Sequence, residues 1–276
     1  MSKSTKPAAK SAKASSGSFS TAFAFAIVPI VLVCGYLVYT FYLGDGQWFE
    51  GGDNKNHPIP GKIQGMMYKG GFLVPILIGT FLLVLSVFFE RSFTIFNARG
   101  KGSIPNFVRK IQQLLNADNV DSAIAECDKQ KGSVAAVVKA GLDTYKKMQT
   151  ETELDREQKV LAITKEIEEA TSLELPMLEK NLVILATVSS IATLLGLLGT
   201  VFGMIKSFSA MASTGAPDAV ALSTGISEAL INTALGISTS ALAIIFYNFF
   251  TTRIDGMTYA IDEAGFSIAQ TFASKH

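Results

Sequence analysis

The sequence predicts an all-α membrane protein with four transmembrane helices and a helical cytoplasmic domain. Three observations carry that prediction. Apolar stretches long enough to cross a bilayer occupy 19–43, 72–89, 182–205 and 229–250. Lysine and arginine flank them with a consistent sidedness. The largest polar block, 90–181, repeats its apolar residues at helical spacing.

Composition narrows the function classes. Of 276 residues, 49% are hydrophobic and 17% charged, with a net charge of +1, so nothing points to nucleic acid or to a strongly acidic partner. Cys34 lies in an apolar run and Cys127 in a charged one, which predicts no disulfide and fits no zinc spacing. The two histidines, His57 in a polar loop and His276 at the end, make no metal site or catalytic triad. The expectation is a protein without catalytic residues, metal or cofactor, and not an enzyme.

Residues 1–18 are rich in Lys, Ser and Ala and read as a disordered basic head. Lys3, Lys6, Lys10 and Lys13 place this head in the cytoplasm. The first helix, 19–43, has too long an apolar core for a signal peptide and is expected to be retained. The outer, periplasmic segment 44–70 carries Asp45, Glu50 and Asp53 near the first span. Gly51, Gly52, Pro58 and Pro60 make it irregular, with room for an amphipathic piece on the membrane surface. Trp48 and Tyr68 suit interfacial anchors.

The second helix, 72–89, reaches about 27 Å at ~1.5 Å per residue. Arg91, Arg99, Lys101, Arg109 and Lys110 follow it and mark the 90–181 domain as cytoplasmic. Ile104, Phe107, Val108, Ile111, Leu114 and Leu115 form one helical stripe, and Val120, Ile124 and Cys127 another. Gly132 and Ser133 break the chain before Val134, Val137 and Val138 begin a third helix. A long helix runs from Thr152 to Glu179, with Pro176 predicting a bend where it meets the membrane. Its glutamates Glu166, Glu168 and Glu169 read as a solvated face with pairs such as Asp155 to Lys159 and Lys165 to Glu169, rather than as a metal site.

The third helix, 182–211, places Ser189, Thr193, Gly196, Thr200, Gly203 and Ser207 on one face. Glycines there permit close helix packing in lipid; a run of hydroxyls asks for more. A short periplasmic loop, 212–220, leads to the fourth helix, 221–250, which places Glu228, Asn232, Gly236 and Thr239 on one face and Thr233 and Ser240 beside it. An ionisable residue at membrane depth is a functional-site hypothesis by default, at a cost of at least ~2.5 kcal/mol. Glu228 precedes the strongly apolar part, near the outer headgroups, so a glutamate complementing the helix dipole near its N-terminus is the alternative reading. One such hairpin cannot enclose a path, but several copies in a ring can. The tail 251–276 opens with Arg253 and returns to the cytoplasm.

GLLGTVFGMIKSF, followed by GISEALINTALGISTSALAIIFYN, resembles the signature of the ExbB/TolQ/MotA proton-channel family, nearest its ExbB and TolQ branch. The resemblance covers roughly residues 180–250, and the FFER exit of the second span is compatible with it. It implies a homo-oligomeric ring of five copies in the bacterial inner membrane, around single-span partners of the ExbD/TolR kind. It also implies conversion of proton motive force into motion acting on a TonB-like outer-membrane energiser. Thr200 takes the place of the threonine in the family's GLLGTV motif, Glu228 that of the glutamate in G-I-x-E-A-L, and Thr233 the threonine five residues on. These three are the expected proton-pathway residues, with Thr193, Gly196, Gly203, Ser207, Asn232, Gly236 and Thr239 as a further pore or packing face. The proton-carrying aspartate belongs to the partner in that family. Leu242 stands where many relatives have proline, and the helix at 19–43 adds a fourth span to the usual three.

Alternatives within the family are TolQ-like envelope maintenance and a motility motor. A secondary transporter would show repeated hydrophobic halves and broken spans, which this sequence lacks. A structural membrane scaffold, with its polar stripes serving only as packing surfaces, is the alternative of another class.

Overall fold

Hydrocarbon offers the backbone no hydrogen bonds, so a chain this apolar crosses it as helices or as a closed barrel. The computed structural model describes residues 16–214 and 219–275, and they are helical nearly throughout, with no strand among the described residues. The basic head up to residue 15, residues 215–218 of the predicted short loop, and His276 lie outside the described residues. Among the described residues, four helices are long and apolar enough to cross a membrane.

Helix α1, Ser16–Leu37, begins three residues ahead of the predicted start and continues as a π-helical turn, Val38–Leu43. The segment that follows is irregular, as its glycines and prolines dictate: two 3₁₀ turns, Gly46–Trp48 and Glu50–Gly52, then a short helix α2, Ile63–Lys69. Helix α3, Leu73–Arg99, continues past the expected end at 89. Four helices come next: α4 Ile104–Asn116, α5 Val120–Gln130, α6 Gly132–Thr150 and α7 Arg156–Glu179. Two long helices, α8 Leu182–Thr214 and α9 Ala219–Lys275, complete the chain. Helix α9 has 57 residues, far beyond the ~20 that span hydrocarbon, and it passes Leu242 without interruption.

The start of α7 is set by chemistry the apolar periodicity does not show. Asp155 accepts from the Gln158 backbone N–H at 2.8 Å, and the Gln158 side chain accepts from the Asp155 N–H at 3.1 Å. This capping box moves the helix start from Thr152 to Arg156. At the other end the helix runs through Pro176 and breaks at Lys180 and Asn181 instead. Pro176 forfeits one N–H hydrogen bond without ending the helix, whereas Asn181, at φ 66°, takes the left-handed conformation that asparagine tolerates. Glu166, Glu168 and Glu169 are exposed. Lys165 pairs with Glu169 at 3.7 Å, but Lys159 donates to the Glu151 carbonyl rather than to Asp155. No cluster suited to a metal occurs among the described residues.

The chain divides into two compact units, with boundaries inside α3, α8 and α9. The first comprises residues up to Leu83 together with Leu197–Leu235. In it α1 and α3 cross through small residues, Gly35 lying against Pro75 and Gly79. Tyr39 stacks on Tyr68 with ring centroids 4.7 Å apart and donates its hydroxyl to the Tyr68 carbonyl at 3.0 Å. Phe49, buried, meets Tyr68 edge-on. Trp48 donates its indole N–H to the Tyr42 carbonyl at 2.8 Å.

The second unit comprises Val84–Gly196 and Gly236–His276. The apolar stripes of α4 to α7 close on the C-terminal part of α9, burying Ile111, Leu115, Leu142, Ile163, Ile268 and Phe272. Gly141 lets Ile167 and Ile268 approach its backbone, and Tyr145 meets Phe272 edge-on at 4.9 Å. Lys275 donates to the Leu115 and Asn116 carbonyls at the end of α4, joining the Asp118 N–H that also reaches Leu115 O.

The FFER exit of α3 anchors this unit. Phe88 packs on Phe246 at 4.2 Å. Arg91 is only 1% exposed. It donates to both carboxylate oxygens of Glu90, and to the Leu178 carbonyl at 3.3 Å in the last turn of α7. Asn181 reaches the same carboxylate. One guanidinium therefore neutralises a carboxylate and caps a helix end beside the α7–α8 break.

Two predictions follow from this packing. Arg91→Met keeps much of the side-chain volume but strands Glu90 and the Leu178 carbonyl. Removing one member of a buried pair costs 3–5 kcal/mol, and because Glu90 keeps partial exposure the loss is set at about 3 kcal/mol. It is measured as a lowered unfolding midpoint in detergent. Burial pushes the Cys127 thiol up to about 12, so thiolate is scarce at neutral pH. In a Cys34→Ser background, Cys127 resists maleimide until the chain is unfolded, when mass spectrometry shows one adduct.

Candidate functional site

Helices α8 and α9 come together as a hairpin because small residues on each meet small residues on the other. In the first unit, the Gly199 backbone lies against the Asn232 side chain. Gly203 lies against Gly225 and Ala229, and Gly225 against Ser207. In the second unit, Gly236 lies against Ala192 and Gly196. A methyl group at any of Gly199, Gly203, Gly225 or Gly236 would overlap its neighbour. Gly196, Gly203, Ser207, Asn232, Gly236 and Thr239 are accordingly buried within one chain, while Thr193, Thr200 and Thr233 are half-buried.

The hydroxyls solve their own hydrogen-bonding problem locally. Thr193 donates to Ser189 O at 3.4 Å, Ser189 to Ala186 O at 2.6 Å, Thr200 to Leu197 O at 2.6 Å and Ser207 to Gly203 O at 3.0 Å. Ser240 of α9 donates to Ser189 O at 2.5 Å, a direct tie between the helices. Bonding back to the carbonyl three or four residues earlier lets Ser and Thr sit in apolar surroundings while the oxygen remains able to accept. Thr200 borders a shallow groove with Val201, Met204, Ile205, Phe208 and Ser209, so its hydroxyl and that of Ser209 are the polar points of a largely apolar, open face.

Glu228 sits in the first unit at the opposite kind of place. It is only 8% exposed, and its Oε2 pairs with Lys206 Nζ of α8 at 2.7 Å. Its Oε1 lies against the backbone of Gly71, where φ is 81° and a side chain would collide with the carboxylate. One helical turn along, Asn232 donates its amide to the Gly70 carbonyl at 2.8 Å. Glu228 and Asn232 thus hold the turn that precedes α3. The Lys206 side chain is 65% exposed, so the carboxylate is sheltered while its cation reaches outward. Nearby on α2, burial and the like charge of Lys206 push the Lys69 ammonium below the usual lysine range, with Asp53 pulling the other way.

The sequence picked out Glu228, Asn232, Thr200 and Thr233 but missed Lys206, Gly70 and Gly71. A lone lysine closing the apolar run of α8 is the signal that could have found the ion pair, since a hairpin places it opposite the glutamate opening α9. Nothing local marks Gly70 and Gly71 as the third wall.

Chemically, the hairpin offers one sheltered carboxylate able to exchange a proton, and threonine hydroxyls able to donate and accept without storing one. Residues 129–263 match the MotA/TolQ/ExbB proton channel family. The chain is 41% identical over 86 residues to a putative biopolymer transport protein ExbB-like 3 of Synechocystis sp., covering 30% of this chain and 41% of that protein. It is 32% identical over 120 residues to the Tol-Pal system protein TolQ of Pseudomonas aeruginosa, covering 44% and 52%. It is 38% identical over 81 residues to the biopolymer transport protein ExbB of Pseudomonas putida, covering 29% and 25%. The matched stretches thus span from a quarter to about half of these relatives' lengths. The hairpin, with its sheltered carboxylate and its hydroxyls, lies within the stretch that is similar to the MotA/TolQ/ExbB proton channel family and to relatives named ExbB and TolQ.

Proposed function

We propose that this chain is the large, proton-conducting subunit of an inner-membrane motor that turns proton motive force into mechanical work on an outer-membrane energiser, in the manner of an ExbB protein serving TonB-dependent import. The observation that carries the reading is the pairing, in one membrane hairpin, of a sheltered Glu228 with half-buried threonines at positions 200 and 233. Five copies form a ring with both termini and the α4 to α7 bundle in the cytoplasm. A single-span partner of the ExbD/TolR kind inserts its titratable carboxylate beside the threonines. Thr200 and Thr233 hydrate the path and exchange hydrogen bonds with that carboxylate as it gains and loses its proton. Glu228, nearer the outer mouth, draws cations in. TolQ-like envelope maintenance is the second reading, favoured by the longer alignment with TolQ.

The test replaces Thr200 and Thr233 by Val and Glu228 by Gln, singly, in chain co-expressed with its partner and reconstituted in liposomes. Leaving one buried polar group unpaired costs ~1–3 kcal/mol, so each variant is expected to slow proton flux about 10-fold or more at unchanged ring assembly. Parent-like flux in all three would return the stripes to the role of packing surfaces in a scaffold.

A further inference from the structure

The Lys206 and Glu228 pair leaves a neighbouring group without a partner. Asn232 is 2% exposed and uses its amide N–H on the Gly70 carbonyl, which fixes which end of the side chain is nitrogen. Its Oδ1 is buried and has no donor among the described residues. An orphaned acceptor in a low-dielectric interior costs ~1–3 kcal/mol, and a sequence can remove it with leucine. Asparagine here is therefore worth explaining. Glu228 lies one turn earlier on the same face, a spacing at which helix side chains meet. Both side chains converge on adjacent residues, Glu228 Oε1 on Gly71 and Asn232 Nδ2 on the Gly70 carbonyl.

We propose that Asn232 positions the proton on Glu228 through a swap of partners: ionised Glu228 pairs with Lys206, and protonated Glu228 releases Lys206 and donates its new O–H to Asn232 Oδ1. This rests on the reading of Glu228 as a proton-handling residue and deepens it. In the step, a hydronium ion from the outer medium gives its proton to a carboxylate lone pair. One O–H bond forms, the ion pair opens, Lys206 keeps its ammonium charge, and the site gains one positive charge.

Each arrangement satisfies what the other leaves open. With Glu228 ionised, the carboxylate has its cation and Asn232 Oδ1 is the unpaired atom. With Glu228 protonated, Asn232 Oδ1 gains a donor, and Lys206, already 65% exposed, turns to water or lipid headgroups. The surroundings hold the carboxylate in place for this exchange. Lys206 faces it from α8, Gly71 closes the side toward α3, and Tyr39, at the end of the first span, lies close enough for its hydroxyl to feel the Glu228 charge. On α2, Lys69 adds its positive charge near Lys206. The swap gives the turn ahead of α3 two states, one tied by a charged contact and one by a neutral hydrogen bond.

Infrared difference spectroscopy between alkaline and acidic buffer, on the full chain in nanodiscs without its partner, reads the swap directly. The expected result is a protonated-carboxyl stretch that disappears in Glu228→Gln and lies at the frequency of a hydrogen-bonded acid. In Asn232→Leu the stretch should rise to the frequency of a free acid. A band absent from the parent, or one whose frequency is the same in Asn232→Leu, overturns the proposal. Should Asn232→Leu fold poorly, Lys206→Met serves in its place. With the cation gone, the acid stretch in acidic buffer should keep the frequency of a carboxyl bonded to Asn232, and a free-acid frequency there overturns the proposal too. Proton flux is measured separately and can fail while the infrared result stands, which keeps this proposal distinguishable from the motor reading.

Discussion

Hydrocarbon cannot hydrogen-bond, and most of what is unusual about this chain answers to that constraint. The α8 and α9 hairpin carries more polar atoms than a lipid-facing helix tolerates. Its glycines are what make the polar atoms affordable, because they bring two backbones close enough for side chains to find carbonyls. Ser240 reaches Ser189 O across the hairpin, and Asn232 lies over Gly199 while bonding to the Gly70 carbonyl. Without the close approach these groups would be stranded. Glycine weakens an isolated helix by about 1 kcal/mol relative to alanine, a cost that packing and satisfied hydrogen bonds exceed here.

The same logic governs charge. Among the described residues, Glu228 and Arg91 are the buried acidic and basic side chains, and each is held by an opposite charge together with a backbone contact. Their uses differ. Arg91 is enclosed on every side and acts as a fastener, joining Glu90, the end of α7 and the approach to Asn181. Glu228 pairs with a lysine whose side chain is largely exposed, an arrangement that can open without unfolding anything. A sealed pair suits a joint that must stay rigid. A pair with one member in reach of water suits chemistry.

The helical bundle of the second unit shows a division between ordinary burial and special geometry. Its apolar stripes are regular, and α4 to α6 follow them closely. The places where the periodicity misled are its ends and breaks. The capping box at Asp155 and Gln158 outweighed the apolar pattern that started the long helix earlier, and Asn181 absorbed the turn expected of Pro176. In both cases a few polar atoms with definite directions decided the outcome, and periodicity carries no information about them.

By itself the sequence determined the helical class and the four membrane-length helices, because these depend on spacing and on the transfer of apolar side chains, both local properties. It also singled out Glu228, Asn232, Thr200 and Thr233, since polar residues in an apolar run stand out against their neighbours. Only the tertiary structure decided which polar residues meet. Lys206 and Glu228 are 22 positions apart, and Asn232 and Gly70 are separated by 162. Such contacts exist only once helices pack, and their distances follow from how closely glycine backbones approach, which no single stretch of sequence encodes.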